Sequence, residues 1–164
     1  MNRVRATRLC AGVVGGCVAL AVEASAAEVV LNPVRDNSMY EEYTQNSNGA
    51  GYMFTGRAGG GGIRRAFLRF DVAGSVPPGA QIDAAELQIT VSRAATADPL
   101  PASLHRVLAD WGEAGSNAGE RSGAGAAAQP GDATWTHRFY PTLTWLAAGA
   151  DFAGAASSST TIGG

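Results

Sequence analysis

The chain has 164 residues, with 12 basic and 14 acidic side chains and a formal net charge of -2, a length that fits one domain. That near balance supplies no clustered positive field for nucleic acid, and 46% apolar residues exclude disorder throughout. Its 22 glycines and 7 prolines imply frequent turns, which suit short strands better than long helices.

The first residues carry an export pattern. Arg3, Arg5 and Arg8 precede an apolar run over 9–22 that is too short to span a bilayer. Ala24-Ser25-Ala26 then supplies a small-residue processing site. The pattern predicts a signal peptide over 1–27 and a mature start near Glu28. The product would be secreted, periplasmic or held at the cell surface, with no membrane insertion after cleavage. Val14-Gly15-Gly16-Cys17 loosely resembles a lipoprotein processing box, but the apolar run continues past it through Leu20 and Val22. Cys10 and Cys17 both fall inside the signal, so the mature chain has no disulfide and no cysteine metal site.

From Val29 onward, Val29, Leu31, Met39 and Tyr40 predict a strand that Pro33 moves to a sheet edge or bulge. Residues 47–51 are a turn, and 52–56 a short strand. The glycine run 59–62 lacks a phosphate-cradling frame. Residues 63–72, IRRAFLRFDV, predict a central antiparallel strand. Alternation puts Ala66, Leu68, Phe70 and Val72 on one face, and Arg65, Phe67, Arg69 and Asp71 on the other. Past the Pro77-Pro78-Gly79 turn, Ala85, Leu87, Ile89 and Val91 alternate with Glu86, Gln88, Thr90 and Ser92, as in a sheet with one wet face. Ala66, Leu68, Phe70, Leu87, Ile89 and Val91 are the predicted core.

After a loop over 94–101 come a strand over 103–109 and a turn over 110–113. Residues 114–131 form a long small-residue stretch, either a functional loop or a poorly ordered one. A strand over 132–140 puts Ala133, Trp135, His137 and Phe139 on one face and ends at Pro141. Residues 143–146 add a short apolar piece, and 157–164 a polar low-complexity tail. The predicted class is all-β, with antiparallel sheets.

Six segments in order, DNSMYEE at 36–42, SNGAG at 47–51, TGR at 55–57, RRAFLRFDV at 64–72, DWGEAGSNAG at 110–119 and GDATWTHRFY at 131–140, resemble the bacterial exported DNRLRE domains. Asp36-Asn37 keeps the start of the naming motif, and the residues after it differ. Those domains are relatives of a carbohydrate-binding-module family with a jelly-roll β-sandwich. The resemblance implies one jelly-roll-like domain over 28–156. Family members continue past a Ser/Thr-rich segment like 157–161 into further strands, so it also implies a sandwich lacking its last strands, with 157–164 as a truncation point. It implies an accessory module of polysaccharide-active or surface proteins, without catalysis, and for some relatives binding of acidic glycans.

Sugar sites set flat rings against pyranose faces and use polar groups to fix orientation. Tyr140 and Trp145 flank Pro141, and Arg138 lies two residues before Tyr140, so these three form the leading ligand candidate. Trp135 and Phe139 are expected to fill the core, and Trp111 to hold a structural corner. Arg65, Phe67 and Arg69 form a second candidate, a cationic strip suited to carboxylates. Its competing reading is an outer face whose arginines pair with Glu86 and other acids across strands.

Asp36, Glu41, Glu42, Asp71, Asp110, Glu113 and Asp132 are scattered through turns, the donor type a structural calcium takes, yet no EF-hand spacing assigns a metal set. No cofactor is otherwise implied. His105 and His137 lie in strand-like runs without a nucleophile elbow or a zinc motif. The leading function is an exported, non-catalytic module binding an extracellular polysaccharide, acidic or neutral, or a cell-surface glycan. Its alternative is a structural or adhesive β-sandwich module with no small ligand.

Overall fold

The computed structural model describes residues 27–94, 96–119 and 123–162, together with the backbone of 3–7. The apolar run and processing site of the predicted signal peptide lie outside the described residues. The chain is nearly all-β. Its strands are β1 (Arg3–Thr7), β2 (Glu28–Leu31), β3 (Arg35–Tyr40), β4 (Asn46–Ser47), β5 (Gly56–Arg57), β6 (Ile63–Arg69), β7 (Ala84–Gln88), β8 (Leu100–Leu104), β9 (Ala126–Ala127), β10 (His137–Phe139), β11 (Leu143–Thr144) and β12 (Ser158–Ile162). One short helix, α1, spans Val72–Ser75. Among the described residues no helix is long and apolar enough to cross a membrane.

The sheets are small and open, in the orders β2-β1-β7, β3-β6-β5, β4-β9, β12-β8 and β10-β11. Two compact units result. One comprises Met1–Val34 with Arg69–Ser92, the other Arg35–Leu68 with Arg93–Gly164.

In the larger unit, β6 is the middle strand of its sheet. A hairpin joins it to β5, pairing Gly56 with Arg64 and Arg57 with Ile63. Inside that loop Gly61 adopts φ +97°, a left-handed conformation open to glycine at no steric cost, and Ala58 N–H donates to Gly62 O at 2.9 Å. The core gathers Met39, Phe67, Trp111, Ala133, Trp135, Trp145 and Ala150, with Ile63, Val107, Ala109 and Phe152 packed against it.

Several expectations are corrected. Phe67, assigned to the outer face, is 5% exposed and central to the core, whereas Ala66, Leu68 and Phe70 are only half-buried. Alternation along β6 is real, but it cannot tell which face meets the larger rings, and three tryptophans outweigh Leu68 and Ala66. Leu87 is half-buried, and Ile89 and Val91 are exposed. The strand at 63–72 stops at Arg69 because the Asp71 side chain accepts from Gly74 N–H at 3.0 Å and caps α1. After α1 and the proline turn, β7 pairs with β1, not with β6. Glu86 therefore stands opposite Arg5 in register.

The tail is also corrected. Ser158–Ile162 is a strand, β12, aligned antiparallel with all of β8, from Ser158 opposite Leu104 to Ile162 opposite Leu100. Backbone pairing needs no apolar pattern, so a Ser/Thr-rich segment joins a sheet edge as readily as an apolar one. The predicted strand over 103–109 instead ends at Leu104, leaving one isolated bridge between Val107 and Phe152.

Candidate functional site

Four of the six quoted motifs meet at one place in the larger unit, around the buried amide of Asn37. Its Oδ1 accepts from Ser38 N–H at 2.7 Å, Asn48 N–H at 3.0 Å and Ser47 Oγ at 2.8 Å. Its Nδ2 donates to Ala133 O at 3.2 Å and Gly112 O at 3.4 Å. Asn48, fully buried, donates from Nδ2 to Tyr52 O and accepts at Oδ1 from Ala118 N–H. Ser116 Oγ accepts from Gly49 N–H, and Ser116 O accepts from Ala50 N–H. The carboxylate of buried Asp132 accepts from Ala114 N–H at 2.6 Å and Gln129 N–H at 2.8 Å.

Close backbone approach holds this junction shut. A Cβ at Gly112 would collide with Gly131 O and the Phe139 ring, and one at Gly49 would meet Ala114 O at 2.5 Å. Segment 114–119 is thereby tied to the turn at 48–50, and β9 pairs with β4 through Asn46–Ala127 and Ser47–Ala126. Loops carrying buried polar backbone must satisfy it, and these side chains do so. Sequence reasoning missed Asn37, Asn48, Ser116 and Asp132 as a set. Their signal was the recurrence of Asn, Asp and Ser in four separate motifs, beside glycine in three of them.

At the rim, Asp36 N–H donates to Glu113 Oε2 at 2.7 Å. Burial pushes the Asp36 carboxyl above its ordinary range. Burial does the same to Glu113, with the charges of Asp36 and Asp132 adding to it and the Asp36 N–H and Arg35 opposing. Arg35 donates to Trp111 O at 2.8 Å and lies 3.7 Å from an exposed Asp110 oxygen, a solvated pair of small worth. Among the described residues no group of three or more His, Cys, Asp or Glu could hold a metal ion.

Tyr40 is fully buried beside Phe54, its ring under the Arg64 guanidinium at 5.7 Å. Among the described residues its hydroxyl has no partner at full hydrogen-bond geometry, and burial pushes its pKa up to about 12, with the neighbouring Ser38 hydroxyl and the Arg64 charge opposing.

The leading ring pair is split by the structure. Trp145 is 5% exposed, a correction to the expected edge position. Its ring stacks on Phe67 with centroids 5.8 Å apart and planes at 14°, and its indole N–H donates to Thr134 O at 2.9 Å. A buried indole needs such an acceptor, and the turn at Thr134 presents one: Thr134 N–H donates to His137 O while Thr134 Oγ1 accepts from His137 N–H. Tyr140 stays half-buried, edge-on to the His137 ring at 5.3 Å. Arg138 reaches toward Asp110 O and lies 5.9 Å from the Phe139 ring centre.

The cationic strip is dispersed as well. Phe67 is packed between Trp111 and Trp145. Arg65 is held over the rings of Trp135 at 4.9 Å and Phe152 at 4.7 Å, and it donates to Gly149 O. Such cation–ring contacts stabilise the fold by roughly 0.5–2 kcal/mol each. Arg69 is exposed at the end of β6. Trp135 is a core residue at 7% exposure, as expected; Trp111, expected at a corner, is in the core at 4%, and Phe139, expected in the core, is half-buried outside it. Comparison with protein-family models, with curated proteins and with solved structures returned no match.

Proposed function

We propose that this chain is an exported, non-catalytic β module with a structural or adhesive role, not a receptor for a small ligand. The observation that carries this reading is the internal use of the ligand candidates. Trp145 and Phe67 stack on each other, and Arg65 lies over the core ring of Trp135 and over Phe152, which packs against the core. Phe67 and Trp145, each 5% exposed, have little ring face left for a pyranose, and Arg65 already spends one guanidinium nitrogen on Gly149 O. The resemblance to DNRLRE domains supports an accessory module, and a jelly-roll sandwich stays part of this proposal.

Binding of an acidic polysaccharide is the second reading. It is favoured by Tyr140, half-buried beside His137 and two residues from Arg138. A glycan-array screen of the exported protein, with a Tyr140→Ala variant alongside, separates the two. Binding to no glycan at millimolar concentration is the expected result. Saturable binding that Tyr140→Ala abolishes in a folded variant would replace the first reading with the second. Intact-mass measurement of the exported protein tests the start near Glu28; a retained N-terminus or a lipidated Cys17 would overturn the export assignment.

A further inference from the structure

In the smaller unit, β1 is the middle strand of three. It pairs antiparallel with β2, from Val4 opposite Leu31 to Thr7 opposite Glu28. It also pairs antiparallel with β7, from Arg3 opposite Gln88 to Thr7 opposite Ala84. Neighbouring strands lie about 4.8 Å apart, so β2 and β7 stand roughly 10 Å from each other and do not pair directly. The middle strand is drawn from the segment whose composition predicts an export signal.

Removing that segment leaves β2 and β7 with facing rows of backbone N–H and C=O groups and nothing between them. Such edges are templates for an added strand. The register fixes what fits. Leu31 and Leu87 flank the same position, Val4, and Val29 and Ala85 flank Ala6. Residues opposite one another share a sheet face, so the slot has one apolar face set by Val29, Leu31, Ala85 and Leu87. Its other face carries Glu28, Val30 and Glu86. Apolar side chains around it remain exposed, Val30 and Ile89 at 46% and Val91 at 52%.

We propose that β2 and β7 form a strand-acceptor site that β1 fills before processing and that an extended segment of a partner polypeptide fills afterwards. The donor runs antiparallel to both neighbours over about five residues, with small or β-branched apolar residues at alternate positions and basic or polar residues between them. The proposal rests on the export reading for its occasion, and on the register alone for its geometry.

The test uses the full chain with a protease site placed in residues 10–24, so that β1 can be cut loose without natural processing. Hydrogen exchange at 28–31 and 84–88 is followed before and after the cut. A labelled synthetic peptide of residues 1–9 is then added, beside a version carrying Val4→Pro. Expected are faster exchange after cleavage and release of the cut segment, then capture of the labelled peptide with protection restored. The proline peptide, which lacks one ladder N–H, should fail to bind. Exchange unaltered by the cut and release would overturn the proposal. So would equal capture of the proline peptide, or no capture of either. Dimerisation of the cut chain in place of capture would overturn it in favour of a second copy as occupant. Because the cut is engineered, a failure here is distinguishable from a failure of the export reading, which the intact mass decides separately.

Discussion

Asn37 uses both ends of its amide at once, and that makes it the most consequential buried polar side chain in the larger unit. Replacing it by Ala would leave two carbonyls, two backbone N–H groups and the Ser47 hydroxyl short of a partner. Each unsatisfied buried group costs about 1–3 kcal/mol, and partial relaxation limits the sum. Asn37→Ala should lower stability by roughly 3 kcal/mol or more, read as a shift in urea midpoint at unchanged slope. A loss below about 1 kcal/mol would mean that the junction re-forms without it. The carboxyl pair at its rim gives a pH signature. Asp36 and Glu113 both have folded-state pKa values raised by burial. The unfolded chain therefore releases these protons first, and stability declines as pH rises from about 4 through the raised values, then levels off. Glu113→Gln keeps an oxygen to accept the Asp36 N–H while removing one charge. It should flatten that decline in urea titrations run from acid to neutral pH, and an unchanged slope would remove Glu113 from the account.

Among the elements, β6 shows how far a sequence can be read. Its existence, its approximate span and its place in the middle of a sheet were legible from alternation and flanking breakers. Its inward face was not, because Phe67 and the pair Ala66–Leu68 are both plausible core contributors until the partner elements are known. The same reason explains Trp145. Position beside Pro141 suggested an exposed turn, whereas the acceptor that permits burial, Thr134 O, lies 11 residues away in a turn no local pattern announces. The junction's motifs were recognisable as motifs, but only the topology brings 36–37, 47–50, 112–118 and 129–133 together. β12 was unreadable because pairing with β8 rests on backbone groups that Ser and Thr share with every residue. Packing also predicts the contrast between the two rings of the former pair. Trp145→Ala removes a buried ring stacked on Phe67 and one indole hydrogen bond, a loss of about 3–5 kcal/mol in thermal or urea unfolding. Tyr140→Ala, from a half-buried position, should cost markedly less. Equal losses would show that Trp145 is not the packing residue its burial implies.

At the scale of the whole molecule, the two units differ sharply in what they bury. All three tryptophans, at 111, 135 and 145, lie in the larger unit together with Met39 and Phe67. In the smaller one Leu31 is the buried hydrophobic residue among those described, α1 buries no residue, and four of the five β7 residues are exposed. Apolar burial contributes about 25 cal/mol per Å², so a unit whose described residues bury so little is expected to open at low free energy. Tryptophan emission therefore reports the larger unit alone, while far-UV circular dichroism reports strands of both. Non-coincident urea transitions are expected, with dichroism beginning to change before emission does, which breaks two-state behaviour. Hydrogen exchange should agree, with amides of 84–88 exchanging well before those of 35–40 and 63–68. Superimposable transitions by both probes, with uniform exchange across these strands, would show that the chain unfolds as one cooperative body. The partition of burial would then carry no energetic boundary.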